Sequence, residues 1–175
     1  MRIIAGYLGG RAFNSPRSNR THPMSDKARG GLFNALGDIG GLSFLDAFAG
    51  SGALSFEAIS RGAQSVVAVD IDKSAYQAIQ ESIVGLDLKN KVKAIRANVS
   101  GWSDNNPDLL FDIVIAAPPY DDLQPKIISK ITSHVKAGGL YILDWPTRET
   151  VPDLLGFKPV AEHDYGDAKL IFFRR

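Results

Sequence analysis

Residues 46–52 read Asp-Ala-Phe-Ala-Gly-Ser-Gly, a glycine-rich run between a short apolar segment and a helix-like one. In a doubly wound sheet, ligands bind at the carboxyl ends of the strands, where such strand-to-helix turns lie. Glycines there let a ligand approach the backbone, and the N–H groups that begin the next helix favour electron-rich groups. Asp70 ends the next apolar segment, 20 residues after Gly50, where a carboxylate can accept hydrogen bonds from both hydroxyls of a ribose. The stretch therefore predicts a Rossmann-type domain that binds an adenosine cofactor.

The residues around this loop discriminate between cofactors. A dinucleotide fingerprint needs a third glycine for close helix–strand packing, and none follows Gly52 at the required place. A P-loop is excluded because no Gly-Lys-Ser/Thr follows. Asp46 would oppose a pyrophosphate but can receive the ammonium of a methionine moiety, directly or through water. Asp46, the glycines and Asp70 at this spacing together predict a binding site for S-adenosylmethionine rather than a glycine-rich turn that binds no ligand.

The rest of the chain alternates between strand and helix patterns. Helices are predicted over residues 26–36, 53–61, 74–86 and 123–135, and strands over residues 42–46, 65–70, 92–96, 111–116 and 140–144. Gly138-Gly139 is expected to end the last of these helices, and a short helix is expected near residues 149–155. This order indicates crossover units, a mostly parallel sheet and helices on both faces.

The tail has a different pattern. Residues 159–165 and 168–173 are extended runs on either side of Gly166-Asp167, a dipeptide that suits a tight hairpin turn. The sequence thus predicts an α/β, Rossmann-like fold that finishes in an antiparallel hairpin.

Composition limits the kind of protein. The chain has 175 residues, 45% of them apolar and 22% charged, which is typical of one soluble globular domain. It has no cysteine, which excludes disulfides and thiolate chemistry, and no histidine–carboxylate cluster with metal spacing, so we predict no metal. With no apolar run that could span a bilayer and no pattern of a secretory signal, we expect a cytoplasmic protein, and a monomer.

The charge is distributed unevenly. Residues 1–30 carry six bases and one acid, a formal charge of +5, and the other 145 residues carry 14 bases and 18 acids, or −4. A basic arm favours contact with a polyanion, although a solvated tail gives the same pattern. We divide the chain into a basic N-terminal arm, residues 1–24, with a short hairpin over residues 2–13, and a domain over residues 25–175.

Residues 116–120, Ala-Ala-Pro-Pro-Tyr, end the fourth predicted strand at the same sheet edge as the glycine-rich loop. The two prolines fix the backbone and remove two N–H donors, which leaves carbonyls free to accept hydrogen bonds from a substrate amine. Tyr120 offers a flat face on which a flipped base can stack. Alone, such a tripeptide is more typical of a simple turn.

Taken together, the sequence resembles the RsmD-type bacterial 16S ribosomal RNA guanine-N2 methyltransferases. The likeness runs in order along nearly the whole chain, through residues 2–11, 22–34, 45–63 and 111–120. It implies a seven-stranded methyltransferase fold, S-adenosylmethionine as methyl donor, and the exocyclic amine of a guanine in small-subunit RNA as substrate.

The resemblance also implies roles for individual residues. The residues expected to bind the cofactor are Asp46, Phe48, Ala49, Gly50, Ser51, Gly52, Asp70, Ile71, Asn98 and Val99, with Ser25 and Asp26 closing the site. The expected catalytic loop consists of Ala117, Pro118, Pro119 and Tyr120. The residues expected to contact RNA are Arg2, Arg11, Arg17, Arg20, His22 and Tyr120. Glu57 and His134 are expected to have structural rather than catalytic roles.

Two positions depart from the family pattern. His22 stands where the family usually has arginine, and Ala117 where it has Asp or Asn, whose side chain accepts a hydrogen bond from the target amine. Losing that bond would cost about 10²-fold in rate. Asp121 or Asp122 is a candidate replacement. The sequence leaves open a weakened homologue that binds S-adenosylmethionine or RNA without efficient transfer, and a methyltransferase for another amine such as adenine N6.

Overall fold

The computed structural model describes residues 1–16 and 24–175. The helices in these ranges are α1 (Asp26–Leu36), α2 (Ala53–Ser60), α3 (Lys73–Gly85), α4 (Val99–Asn105) and α5 (Pro125–Lys130). The strands are β1 (Ser43–Asp46), β2 (Ser65–Asp70), β3 (Val92–Arg96), β4 (Phe111–Ala116), β5 (Val135–Pro146), β6 (Lys158–Tyr165) and β7 (Ala168–Arg174). A 3-10 turn, Ile131–His134, joins α5 to β5.

All seven strands form one sheet in the order β3-β2-β1-β4-β5-β7-β6. Strands β1 to β5 pair in parallel, and β7 is antiparallel to both of its neighbours. Between β1 and β4 the chain reverses the direction in which it adds strands, and at such a switch point the strand ends form a crevice. The predicted seven-stranded, Rossmann-like fold with an antiparallel C-terminal hairpin is confirmed.

The two faces of the sheet pack against separate cores, because alternate strand residues point to opposite sides. On β5, Ile142 belongs to the core that contains the buried residues of α1, α2 and α3. Its neighbour Leu143 belongs to the second core, with α4 and α5. Both side chains are fully buried. Helices therefore cover both faces, as predicted.

Glycine inside β5 explains one wrong prediction. We expected a helix up to residue 135 and a stop at Gly138-Gly139, but β5 already begins at Val135 and runs through both glycines. A Cβ on Gly139 would lie 2.8 Å from the Asp112 carbonyl oxygen, and the pairing of β4 with β5 shifts register beside it. These glycines allow an irregular approach of two strands rather than ending a helix.

Two further elements differ from the prediction. No helix forms over residues 149–155, where the Thr150 carbonyl instead accepts a hydrogen bond from Trp145 Nε1 at 3.1 Å. Helix α4 was not predicted, because its seven residues are mostly small or polar and show no apolar period. Its signal is the N-cap: the Asn98 side chain accepts hydrogen bonds from the amides of Ser100 and Gly101.

The first part of the arm packs on the domain. Ile3, Leu8 and Phe13 are buried in the first core, and Arg2 and Ala12 form an isolated antiparallel bridge. No helix in the described ranges is long and apolar enough to cross a membrane.

Candidate functional site

A cavity of about 590 Å³ opens where the carboxyl ends of the central strands meet. Nine of the predicted cofactor residues line it: Ser25, Phe48, Ala49, Gly50, Ser51, Asp70, Ile71, Asn98 and Val99. The four residues of the predicted catalytic loop, Ala117, Pro118, Pro119 and Tyr120, line it as well. The fold thus brings the glycine-rich loop and the Pro-Pro-Tyr loop into one site.

Asp70 fixes the shape of the glycine-rich loop. Its Oδ2 accepts a hydrogen bond from the Gly50 amide at 2.7 Å, and its Oδ1 accepts one from the Asp72 amide at 2.8 Å. Burial raises the pKa of Asp70, while these two amides oppose the rise. A carboxylate has about four acceptor positions. Asp70 is therefore held rigidly at the cavity wall with lone pairs left for the two hydroxyls of a ribose.

Gly52 lies beside the cavity rather than in its wall. It begins α2 with a φ of +77°, and a Cβ there would lie 2.8 Å from the Phe56 ring and 3.1 Å from Ile79. The glycine lets the loop turn tightly onto α2 and α3, and its contact with a cofactor stays a prediction.

Asp46 is also set back from the cavity wall. The residue is 2% exposed, and its Oδ2 accepts a hydrogen bond from Ser55 at 2.7 Å. Its Oδ1 is buried without a hydrogen-bond partner in the described part of the chain. Burial raises the pKa of Asp46 to about 6, although the Ser55 hydroxyl and amide counteract part of the rise. A buried carboxylate oxygen without a partner is suited to receiving a cationic group, directly or through water.

Asp46→Asn is expected to reduce the pH dependence of stability. Because folding raises the pKa of Asp46 from 3.8 to about 6, this group favours the folded chain only while it is protonated. The contribution of Asp46 to the free energy of unfolding is complete below about pH 3.8 and is lost as the pH rises through about 6. Between about pH 4 and 7, the melting temperature of the parent should therefore fall relative to that of the variant.

Thermal unfolding from about pH 2 to 7 measures the effect, with Asp112→Asn as a control whose effect has the opposite sign and falls below about pH 3.8. Burial raises the pKa of Asp112, but hydrogen bonds from Ser43 and Lys136 outweigh it and lower the pKa to about 2. Its contribution is present above about pH 3.8 and is lost as the pH falls towards about 2. Identical pH slopes for the parent and Asp46→Asn would contradict the assignment.

Helix α1 covers one side of the cavity. Met24, Ser25 and Ala28 line it, and the Ser25 hydroxyl caps the helix by accepting a hydrogen bond from the Ala28 amide at 3.1 Å. Asp26 does not line the cavity: its side chain is 78% exposed and pairs with Arg29 at 2.9 Å. Of the two residues predicted to close the site, Ser25 thus lies at the cavity, and the closing role of both stays a prediction.

A buried ion cluster ties the arm to α1 and α2. Glu57 is fully buried, and its two oxygens accept hydrogen bonds from the amides of Ile4 at 2.8 Å and Ala5 at 3.1 Å. Arg61 Nε donates to the same carboxylate at 2.7 Å, and the buried Arg29 Nε lies 3.8 Å from it. The structural role expected for Glu57 takes a specific form, because this carboxylate anchors the arm.

The Pro-Pro-Tyr loop contacts a carboxylate that was not predicted from the sequence. The Tyr120 hydroxyl donates a 2.6 Å hydrogen bond to Oδ1 of Asp144, which lies two residues before the end of β5 and is 7% exposed. Burial raises the pKa of both groups, and the bond to Asp144 raises that of Tyr120 further. Of the two candidate replacements for a family Asp at position 117, Asp122 lines the cavity and Asp121 does not.

The C-terminal hairpin forms the remaining wall, through Tyr165, Asp167 and Ala168. These residues and Asp144 belong to no recognisable motif. One signal for Asp144 was present: the carboxyl end of the fifth parallel strand must lie beside that of the fourth. The contribution of the hairpin had no such signal, because it depends on β7 running antiparallel between β5 and β6.

Gly31→Ala is expected to disturb this wall without unfolding the chain. A Cβ at Gly31 would lie 1.8 Å from the Tyr165 hydroxyl oxygen and 2.6 Å from its Cζ, so the ring must move. Alanine is favoured over glycine within a helix by about 0.8–1 kcal/mol, which offsets lost packing. We expect an increase of several-fold in the RNA KM and little change in thermal unfolding. The control is Gly30→Ala, whose Cβ meets only Ile4 Cδ1 at 3.9 Å; equal KM values for the two variants would contradict the prediction.

The predicted RNA-contacting residues are divided. Tyr120 lines the cavity, whereas Arg2 and Arg11 do not. Arg11 donates to the Gly85 carbonyl at 3.3 Å, at the end of α3. The other three, Arg17, Arg20 and His22, lie outside the described residues.

Neither of the two histidines within the described ranges, His134 and His163, lines the cavity. Buried His134 hydrogen bonds to the Ser103 hydroxyl at 2.8 Å and to the Leu109 carbonyl at 2.7 Å, which is a structural role as expected. In residues 1–16 and 24–175, no group of three or more His, Asp or Glu side chains is arranged to hold a metal ion.

The chain matches one known protein family almost from end to end. The family model, described as "Conserved hypothetical protein 95", matches residues 1–174. The chain belongs to this family. Together with the relatives named below, this match confirms the resemblance to RsmD-type methyltransferases.

Individual members and structural neighbours agree with this assignment. Ribosomal RNA small subunit methyltransferase D of Haemophilus influenzae is 34% identical over 129 residues, which cover 69% of this chain and 64% of that protein. The match thus spans just under two thirds of that relative. A hypothetical protein from Thermus thermophilus is 29% identical and superimposes over 98% of both chains with a TM-score of 0.84.

A more distant neighbour shares the fold. The T. thermophilus 16S rRNA N2 methyltransferase RsmC, solved in complex with AdoMet and guanosine, is 22% identical. It aligns with 89% of this chain and 44% of its own, with a TM-score of 0.72. This chain and that neighbour therefore share one fold.

Proposed function

We propose that this protein transfers a methyl group from S-adenosylmethionine to the exocyclic N2 amine of a guanine in 16S ribosomal RNA. One observation carries the proposal: the glycine-rich loop and the Pro-Pro-Tyr loop line the same cavity. The family relatives named as small-subunit RNA methyltransferases support the enzyme class and the RNA substrate. The neighbour solved with AdoMet and guanosine supports the pairing of this cofactor with this base.

The residues of the cofactor half fit S-adenosylmethionine. Asp70 supplies a rigid carboxylate for the ribose, and the Gly50 loop presents backbone to the cavity. The unpartnered Oδ1 of Asp46 offers a negative charge for the methionine ammonium. Asn98 and Val99 line the same cavity, and we expect them to lie beside the adenine. When bound, the cofactor supplies an activated methyl group on a sulfonium, so the chain itself needs no strong acid or base.

The acceptor half positions the amine. The Pro118 carbonyl is available to accept one N–H of the amine, and Tyr120 can stack on the base. As the N2 lone pair forms its bond to the methyl carbon, the carbon–sulfur bond breaks, and the extra proton leaves to water. In-line placement of the two reactants supplies much of the rate.

A transfer assay tests the proposal. The protein is incubated with labelled S-adenosylmethionine and, separately, small ribosomal subunits, free 16S RNA and duplex DNA, and the labelled product is mapped. We expect label on a guanine N2 in the ribosomal RNA. Label on adenine N6 would replace the proposed substrate, and calorimetric binding of the cofactor without any transfer would identify a weakened homologue, which Ala117 makes the main alternative.

The same reactions resolve the partner and the role of the arm. Activity on subunits but not on free RNA would identify an assembled ribosomal particle as the partner. Because Ile3, Leu8 and Phe13 are part of the core, the arm is better tested by Arg17→Ala and Arg20→Ala than by truncation. If these residues contact phosphates, RNA binding of the double variant should depend less steeply on salt.

A further inference from the structure

The target amine needs a hydrogen-bond acceptor beside it, and Ala117 cannot provide one. A guanine amine is a poor nucleophile, and an acceptor for one of its N–H groups both orients and activates its lone pair. In the described part of the chain, four carboxylates line the cavity: those of Asp70, Asp122, Asp144 and Asp167. Their surroundings distinguish between them.

The sheet places Asp144 next to Ala117. Strands β4 and β5 pair in parallel with Ala116 opposite Leu143, so that the register, continued by one residue, sets Ala117 opposite Asp144. Adjacent strands lie about 4.8 Å apart. The Asp144 backbone is therefore one strand away from the backbone of the residue that lacks an acceptor.

The two side chains also share a face of the sheet. Ile115 and Ile142, two residues earlier on each strand, both pack in the first core, and strand side chains alternate. Ala117 packs against that core, and both Ala117 and Asp144 line the cavity. Because alanine is small, it leaves the space beside the Asp144 carboxylate open to a substrate.

The other three carboxylates are less suited to this role. Asp70 belongs to the cofactor half and has both oxygens engaged by backbone amides. Asp122 is exposed and accepts a hydrogen bond from Gln124, and Asp167 is exposed at the tip of the hairpin. Asp144 is 7% exposed, and its recorded hydrogen bond within the described residues is the one from Tyr120 to Oδ1.

We infer that the Asp144 carboxylate is the acceptor for the guanine edge and selects guanine over adenine, an inference that rests on the proposed function. Oδ1 holds the Tyr120 ring in place, and Oδ2 accepts an N2–H of the target amine. Guanine presents N1–H beside this amine as a second donor, which the spare lone pair on Oδ1 can accept. Adenine presents an acceptor, N1, beside its amine, and a carboxylate repels it. The bonds formed and broken in the transfer, and the release of the proton to water, are unchanged.

Nucleoside binding tests the inference without methyl transfer. In the presence of S-adenosylhomocysteine, guanosine, inosine and adenosine are titrated into the parent and into Asp144→Asn, with binding followed by NMR. We expect the parent to prefer guanosine over adenosine by about tenfold or more, with inosine, which lacks the amine, between them. Asp144→Asn should lose about tenfold in guanosine affinity and little in adenosine affinity. Asp153→Asn, which removes an exposed loop carboxylate outside the cavity, is the matched control.

Transfer kinetics provide an independent test. We expect Asp144→Ala to lower kcat about 10²-fold, and Ala117→Asp in that background to restore part of it by returning an acceptor one strand away. Calorimetry with S-adenosylhomocysteine and thermal unfolding establish whether each variant is folded. If Asp144→Ala is not folded, the kcat of the isosteric Asp144→Asn tests the inference in its place. Parent-like kcat and guanosine preference in Asp144→Asn would overturn the inference. Absence of guanine-N2 product with the parent would instead overturn the proposed function.

Discussion

Asp70→Ala is expected to weaken S-adenosylhomocysteine binding about 100-fold. A hydrogen bond to a charged group contributes about 1.5–3 kcal/mol, and we propose that this carboxylate accepts two from the ribose. A combined loss of about 3 kcal/mol corresponds to roughly a 100-fold higher Kd. In the parent chain, the amides of Gly50 and Asp72 fix the loop by donating hydrogen bonds to this carboxylate. The substitution also removes their acceptor.

Isothermal calorimetry measures the effect, and Asp70→Asn separates its two parts. Asparagine keeps one acceptor oxygen in the same place, so a loss of about tenfold is expected, or roughly half of the free energy. Thermal unfolding without ligand reports how much the loop itself is disturbed. An alanine variant that binds as tightly as the parent would show that the cavity wall at Asp70 does not contact the ribose.

Glu57→Ala is expected to produce the largest loss of stability of any single substitution considered. The change removes the acceptor of the Ile4 and Ala5 amides and of Arg61 Nε, and it leaves the buried Arg29 paired with the exposed Asp26. Leaving a buried donor unsatisfied costs about 1–3 kcal/mol, so the loss of these contacts is expected to cost about 3–5 kcal/mol in total. For a chain of this size, that corresponds to a melting temperature lower by about 6–20 °C.

The matched control is Glu81→Gln. Glu81 also contacts the arm, through Asn14 Nδ2 at 2.8 Å, but this bond is exposed. Its loss is expected to change the free energy of unfolding by less than about 1 kcal/mol. Thermal or urea unfolding of both variants measures the difference. Equal stability of the two would mean that the buried cluster around Glu57 contributes little to holding the arm.

Much of the fold was predictable because its patterns are local. The ends of α1, β2, β3 and β4 agree with the prediction, since caps, apolar runs and the Pro-Pro pair mark them within a few residues. Helix α4 was missed because its signal is a single Asn98 cap. The start of β5 was misplaced because Gly139 is required by a close approach to β4, which depends on tertiary packing.

The site divides in the same way. Loop residues such as Gly50 and Asp70 were predictable because the chemistry of an adenosine pocket fixes both their types and their spacing. Asp144 was not, because its relation to Ala117 exists only through the register of two strands that are far apart in sequence. Glu57 was expected to be structural, but its partners in the arm lie 52 and 53 residues away and leave no local pattern.

The hairpin wall of the cavity has a consequence for synthesis on the ribosome. The residues predicted to bind the cofactor have all been made once Val99 is added, whereas Tyr165, Asp167 and Ala168 follow more than 60 residues later. At about 5–20 residues per second, roughly 70 residues take about 3–15 seconds to add. A nascent chain therefore contains the residues of the glycine-rich loop for some seconds before it contains the hairpin residues that complete the cavity wall. During that interval the cavity lacks its hairpin wall, so the proposed methyl transfer must wait until the hairpin has been made and folded.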